Sequence, residues 1–217
     1  MPKEVIVGRQ AIFDRDLRLV AYELLFRERD GTTTATIRDG DDATFQVIEN
    51  TLYEIGFHNL VEDKPAFINL TRSFIDHPAL ERLRKDEVVL EILEDVEIDE
   101  RMLARLSALS RAGYTIALDD FLYDPKYKPL IDIADIVKVD LNLVGSEVLP
   151  THVEELRRYR VKLLAEKIET KEQLQRCQEL GFDLYQGYLL GEPDTVTLAT
   201  LKPESGETPD PNVRRRR

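Results

Sequence analysis

Along this chain the apolar residues gather in short blocks separated by polar and turn-forming residues, and the period inside the blocks alternates. VIVGRQAIF and LVAYELLF flank a polar break at Asp14, Arg15 and Asp16, which predicts a β-hairpin. Farther on, Asp41 or Asp42 is placed to cap a helix running to Gly56, because Phe45, Ile48, Leu52 and Ile55 recur at three- and four-residue steps. Strand and helix signals then alternate. AFINL precedes a helical stretch over residues 73–83, and VVLEI precedes one over residues 99–112 that Gly113 stops as a C-terminal cap. TIALD, the helix-like PLIDIA, IVKVD, a helix over residues 146–159, KLLAE, a helix over residues 171–180 and DLYQGY complete the series.

Such alternation builds parallel βαβ units, and strands apolar along their whole length are buried on both faces. Seven or eight units in 217 residues predict an α/β fold, a modified (β/α)8 TIM-like barrel with an N-terminal β-hairpin. A doubly wound open sheet is the alternative, weakened because no glycine-rich phosphate fingerprint follows any strand. The barrel domain is expected over residues 1–201. Residues 202–217, KPESGETPDPNVRRRR, have almost nothing to bury and read as a disordered, solvated tail.

Charge and cysteine content narrow the partners. Lys and Arg number 30 against 42 Asp and Glu, a formal charge of -12, which makes DNA or an anionic membrane a poor partner. Cys177 is the single cysteine, so an internal disulfide and a cysteine metal cluster are excluded, and a reducing compartment fits. No apolar run approaches the roughly 20 residues that span a bilayer, and no charged-then-apolar leader opens the chain. A cytoplasmic location is expected.

The informative polar residues sit at the C-terminal ends of the predicted strands. Glu23 closes the second hairpin strand, Asn69 ends AFINL, Glu91 ends VVLE, and Asp119 and Asp120 end TIALDD. Lys138 and Asp140 end IVKVD, Glu166 and Glu169 end LLAEKIE, and Gln186 ends LYQ. In a barrel these ends converge on one rim, where active sites are built. One such residue alone is ordinarily a helix cap or a solvated loop group. Several carboxylates on one rim repel by roughly 4 kcal/mol per close pair at intermediate dielectric, so a cation belongs among them.

Oxygen-rich ligation without Cys or His suits magnesium, manganese or calcium over zinc. Adjacent aspartates allow one carboxylate to bridge two ions about 4 Å apart, the arrangement used for displacement at phosphorus. Arg27 adds a forked donor suited to phosphate, although an ion-pair role is equally open to it. His58, His77 and His152 fall away from the strand ends and carry no expected role. A Schiff-base lysine at Lys138 is a further enzymatic reading; carboxylate crowding opposes it by raising the lysine pKa.

With these residues in place the sequence resembles the EAL domain family, cyclic di-GMP phosphodiesterases with a modified (β/α) barrel. YELLFR resembles the signature Glu-Ala-Leu-x-Arg, with Leu24 in place of Ala. FINLT, VVLEILED, ALDDF, VKVD, LAEKIET and YQGYLLGEP resemble the later motifs in order, so the likeness runs from about Val5 to Pro193. The resemblance implies that Glu23, Asn69, Glu91 and Asp119 hold one Mg or Mn ion and that Asp119, Asp120 and Glu169 hold a second. It implies further that Lys138 contacts the attacking water, that Lys138 or Glu166 acts as the base or its orienter, and that Arg27 and Gln186 contact the dinucleotide.

Two departures stand against that pattern. Where active members carry a glycine-containing loop after the aspartate pair, this chain has LYDPKYKPL, whose Pro125 and Pro129 fix φ and remove amide donors. Lys167 replaces the glycine between Glu166 and Glu169. The phrasing is most similar to the EAL part of EAL-HDOD proteins. The resemblance therefore implies a signalling domain with weak or absent hydrolysis, acting by protein contacts, an HDOD-type domain or a homodimer, or by nucleotide binding. The alternative is an active two-metal phosphodiesterase that opens cyclic di-GMP to pGpG.

Overall fold

The computed structural model describes residues 5–28 and 60–196. The expected helix ending at Gly56 and the expected tail from residue 202 lie outside the described residues. Strands β1 (Val5–Asp14) and β2 (Leu19–Glu28) form the expected antiparallel hairpin. Its turn closes because Asp14 Oδ1 accepts from the amides of Asp16 and Arg18, both at 2.9 Å.

The parallel strands follow as β3 (Ala66–Leu70), β4 (Val88–Ile92), β5 (Thr115–Leu118), β6 (Ile136–Asp140), β7 (Lys162–Glu166) and β8 (Leu184–Tyr185). Each pairs with the next, β8 pairs with β1, and β1 pairs with β2, so eight strands close a ring. The closure excludes the open-sheet alternative. A short β9 (Asp194–Val196) pairs antiparallel with the N-terminal part of β1, in the register Val7↔Val196. Three residues give too little alternation to be seen in sequence.

The helices are shorter than their periodicity predicts, and prolines and caps explain the difference. Over residues 73–83 the chain forms α1 (Arg72–Asp76) and then a 3-10 turn at Pro78–Arg82, because Pro78 cannot donate to the preceding turn and holds His77 extended. Helix α2 (Glu100–Ala112) is as expected: Asp99 caps it by accepting from the Met102 amide at 2.7 Å, and Gly113 ends it at φ 96°. PLIDIA becomes a 3-10 turn at Pro125–Tyr127 and the single-turn α3 (Lys128–Ile131). Asp140 caps an extra turn, α4 (Leu141–Val144), and Pro150 sits in the first turn of α5 (Leu149–Leu156), which shortens the expected helix. A capping box at Thr170 and Gln173 starts α6 (Lys171–Glu179).

Apolar burial divides into two bodies. The larger fills the space between strands and helices and includes Ile68, Leu90, Leu106, Leu118, Val139 and Leu163. The smaller gathers Ile12, Ala21, Phe67, Val89, Ala117, Ile136 and Leu164, one from each strand β1 to β7, with Leu184 of β8 packed against it. Only the barrel lumen brings one residue from every strand together, so this set is the floor of the interior.

Candidate active site

Side chains two positions apart along a strand share a face. Two residues beyond each floor residue, toward the carboxyl ends, stand Glu23, Asn69, Glu91, Asp119, Lys138, Glu166 and Gln186. On antiparallel β1 the matching step is backward from Ile12 to Gln10, which pairs with Glu23. The next layer of the lumen is therefore polar all the way round. Parallel register seats Asn69 beside Glu91 and Asp140 beside Glu166. The Asp119 amide extends the ladder past β5 by donating to the Ile92 carbonyl at 2.9 Å.

Lys138 stands at the centre, 1 % exposed. Its Nζ is ion-paired to Glu91 and lies 2.8 Å from Asp119 Oδ1, 2.9 Å from Glu166 Oε1 and 3.7 Å from Glu23 Oε1. Burial alone would lower the lysine pKa, but the carboxylates of Asp119, Glu166, Glu23 and Glu91 outweigh it and hold it well above the usual lysine value. A lysine kept protonated is a poor nucleophile, which corrects the Schiff-base reading. One ammonium does not balance four carboxylates, three of them buried and Asp119 part-exposed. Burial pushes Glu91 well above the usual carboxyl range and Glu166 up to about 8, whereas Lys138 overcomes the burial of Asp119 and keeps it lowered.

Gln186 Nε2 donates to Glu23 Oε2 at 2.8 Å and to Gln10 Oε1 at 3.3 Å, and Asn69 Nδ2 approaches Glu23 Oε1 at 3.5 Å. After these bonds are made, Asn69 Oδ1, Glu91 Oε2, Glu166 Oε2 and Gln186 Oε1 remain buried without a hydrogen-bond partner. Buried oxygens are ordinarily satisfied, and four acceptors left open on one rim fit a hard cation with its water.

Sharing Asp119 with that ring is a second acidic group: ligand oxygens of Glu94, Asp119 and Asp120 fall within 4.8 Å of one another. Glu94 was not among the sequence candidates, although it lies one turn of chain beyond Glu91 in EILED. Asp120 stands at φ 41°; burial and Asp119 push its carboxyl up to about 6. Glu169 is exposed and not part of that group; its amide donates to Gln173 Oε1 at 2.8 Å. Lys167 is ion-paired to Asp140 and lies 4.0 Å from Asp120 Oδ2. Arg27 lies in β2, and its side chain is outside the described residues. Gln10 was missed in sequence because β1 runs the other way, which puts its rim position in mid-strand.

The proline-bearing loop after Asp120 has bracing of its own. Phe121 is buried against Tyr127 edge to face, with ring centroids 5.6 Å apart, and the hydroxyls of Tyr123 and Tyr159 meet at 3.3 Å. Asp124 caps the 3-10 turn by accepting from the Lys126 amide at 2.9 Å. His152 is buried beneath this loop and hydrogen-bonds to the Phe121 backbone; burial lowers its pKa.

Comparison with known proteins places this geometry. Residues 10–193 match the EAL domain. YuxH of Bacillus subtilis is 34 % identical over 198 residues, 89 % of this chain and 48 % of that protein. The protein of Vibrio cholerae named cyclic di-GMP phosphodiesterase CdgJ is 28 % identical over 200 residues, 91 % of this chain and 46 % of its own length. This chain thus spans about half the length of the curated relatives it matches. The YkuI protein of Bacillus subtilis, solved with an EAL domain in complex with substrate c-di-GMP and calcium, shares the fold at a TM-score of 0.71, with 24 % identity over 90 % of this chain and 57 % of that one. With its barrel, its polar rim and a match over residues 10–193, the chain belongs to the EAL domain family.

Proposed function

We propose that the chain is a cyclic di-GMP signalling domain whose rim binds Mg or Mn, and that it hydrolyses the dinucleotide weakly or not at all, passing its signal through nucleotide binding and protein contacts. The four buried, unpartnered oxygens of Asn69, Glu91, Glu166 and Gln186 carry the cation-binding part of this reading. The relative named cyclic di-GMP phosphodiesterase CdgJ supports the choice of ligand. Glu23, Asn69, Glu91 and Asp119 would hold one ion. Asp119 and Asp120, joined by Glu169 in the pattern the sequence resembles, would mark the place of a second. Arg27 and Gln186 would grip the dinucleotide, and a homodimer or an HDOD-type domain would receive the signal.

A divalent ion bound here supplies Lewis acidity to a phosphoryl oxygen and acidifies a bound water. Lys138 and Glu166 hold a proton beside that place, 2.9 Å apart. Slow turnover is supported by Lys167 beside Asp120 and by the loop carrying Pro125 and Pro129. The second reading is a competent phosphodiesterase, favoured by Glu166, whose carboxyl at about 8 exchanges protons near neutral pH.

The test is conversion of cyclic di-GMP to pGpG across a series of Mg and Mn concentrations, with saturable nucleotide binding measured in parallel. The expected result is binding with turnover well below about 1 s⁻¹, the low end of ordinary enzymes. Faster turnover that Asp119→Asn abolishes would establish the second reading instead, and absence of both binding and turnover would remove the nucleotide from the function.

A further inference from the structure

We infer that Lys167 is a tethered cation standing in for a second divalent ion beside Asp120, so that this rim binds one ion although its carboxylates offer places for two. The inference rests on the reading of the rim as a metal site. Lys167 directly follows β7 and holds a φ of 57°, a left-handed conformation that glycine adopts freely and lysine rarely. That backbone carries Nζ to Asp140 Oδ2 and to within 4.0 Å of Asp120 Oδ2.

The anchor is rigid. Asp140 is buried, and its other oxygen caps α4 by accepting from the amides of Asn142 at 2.7 Å and Leu143 at 3.2 Å. Its carboxylate is therefore committed on both oxygens, and it holds the half-exposed Lys167 ammonium beside Asp120. An ion bound to Asp120 would lie only about 2.0–2.6 Å from a carboxylate oxygen and would face that positive charge at close range. Glu169, exposed and outside the group that Asp119 and Asp120 form with Glu94, adds no convergent ligand to offset the repulsion.

The inner position differs. Even with Lys138 fully paired, it leaves four buried oxygens open, whereas Asp120 is part-exposed and Asp140 has both oxygens bonded. The two lysines thus have different consequences: Lys138 leaves buried oxygens unpartnered, and Lys167 sets a positive charge where a second ion would bind Asp120.

Manganese titration of the full chain, followed by calorimetry and by the electron paramagnetic resonance of bound Mn, tests this with no turnover required. Wild type is expected to bind one Mn per chain. Lys167→Gly, which relieves the backbone, and Lys167→Gln, which keeps a side chain without charge, are both expected to gain a second Mn. In each the second site should be at least tenfold tighter than any in wild type, with lines broadened by coupling between neighbouring ions. Two Mn in wild type at affinities matching both variants would overturn the inference and leave the metal-site reading standing, as would variants that bind only one. Failure of wild type and both folded variants to bind any Mn would instead remove the metal-site reading beneath it.

Discussion

At Lys138 a single ammonium is shared among carboxylates from β2, β4 and β7 and from the residue just past β5. Removing one partner of a buried ionic group ordinarily costs about 3–5 kcal/mol, because the remaining charges lose compensation with no return to water. Lys138→Met is therefore expected to lower stability by about 3 kcal/mol at pH 8 in the presence of a chelator. Urea denaturation measures it. The deficit should shrink at pH 5, where Glu91 and Glu166, both raised by burial, hold protons in place of the ammonium, and should shrink again when Mn is restored at pH 8. A deficit independent of both pH and metal would show that packing, and not charge, is what Lys138 contributes.

The elements hold the rim in place through close backbone contacts, most tightly between the β7 end and the turn after β8. Ile168 donates to the Gln186 carbonyl at 3.1 Å, and Gly187, at φ 154°, approaches so closely that a Cβ there would overlap the Ile168 backbone nitrogen and oxygen. Gly187→Ala is expected to cost about 3 kcal/mol or more, since only backbone can yield. Gly113→Ala is the comparison. There the added Cβ meets the flexible Lys85 side chain at 3.3 Å, and the loss should stay near the 1 kcal/mol of a left-handed φ. Thermal or urea unfolding of the pair checks the ordering; equal losses would mean that the β7–β8 contact is not rigid. Element boundaries also show where sequence reading was limited. The periodicity of residues 73–83 is helical, yet Pro78 breaks it, because a missing amide outweighs an apolar repeat.

For the molecule as a whole, the charge held in the barrel mouth sets how stability varies with pH. Glu166 is raised from about 4.5 to about 8 and Asp120 from 3.8 to about 6, each led by burial. Folded protein therefore keeps protons that the unfolded chain has released, and the stability they contribute is full below the unfolded pKa values and lost as pH rises through 6 and 8. The raised Lys138 leaves this window unaffected, since it is protonated in both states there. Chelated protein is expected to melt at a higher temperature at pH 6 than at pH 8.5. At pH 8.5, Mn at about 100 times its dissociation constant should add roughly 2.7 kcal/mol. A melting temperature that rises with pH in chelator would contradict the arrangement. No described helix is long and apolar enough to cross a membrane.

Sequence alone determined the alternating elements, the barrel and the row of polar residues at strand ends, because both a strand's period of two and a helix's of 3.6 are written along the chain. It also marked Lys167 and the LYDPKYKPL loop as departures within a known pattern. Only the tertiary structure decided which of those polar groups meet. Closure of the ring put Lys138 within reach of carboxylates 19 to 115 positions away, and strand direction brought Gln10 to the same layer as Gln186. The structure likewise set Glu94 beside the aspartate pair, left Glu169 exposed, and gave Lys167 a partner in Asp140. Spacing along a chain reports which face a side chain takes; the distances that decide charge, pKa and metal demand are fixed across strands by register and closure.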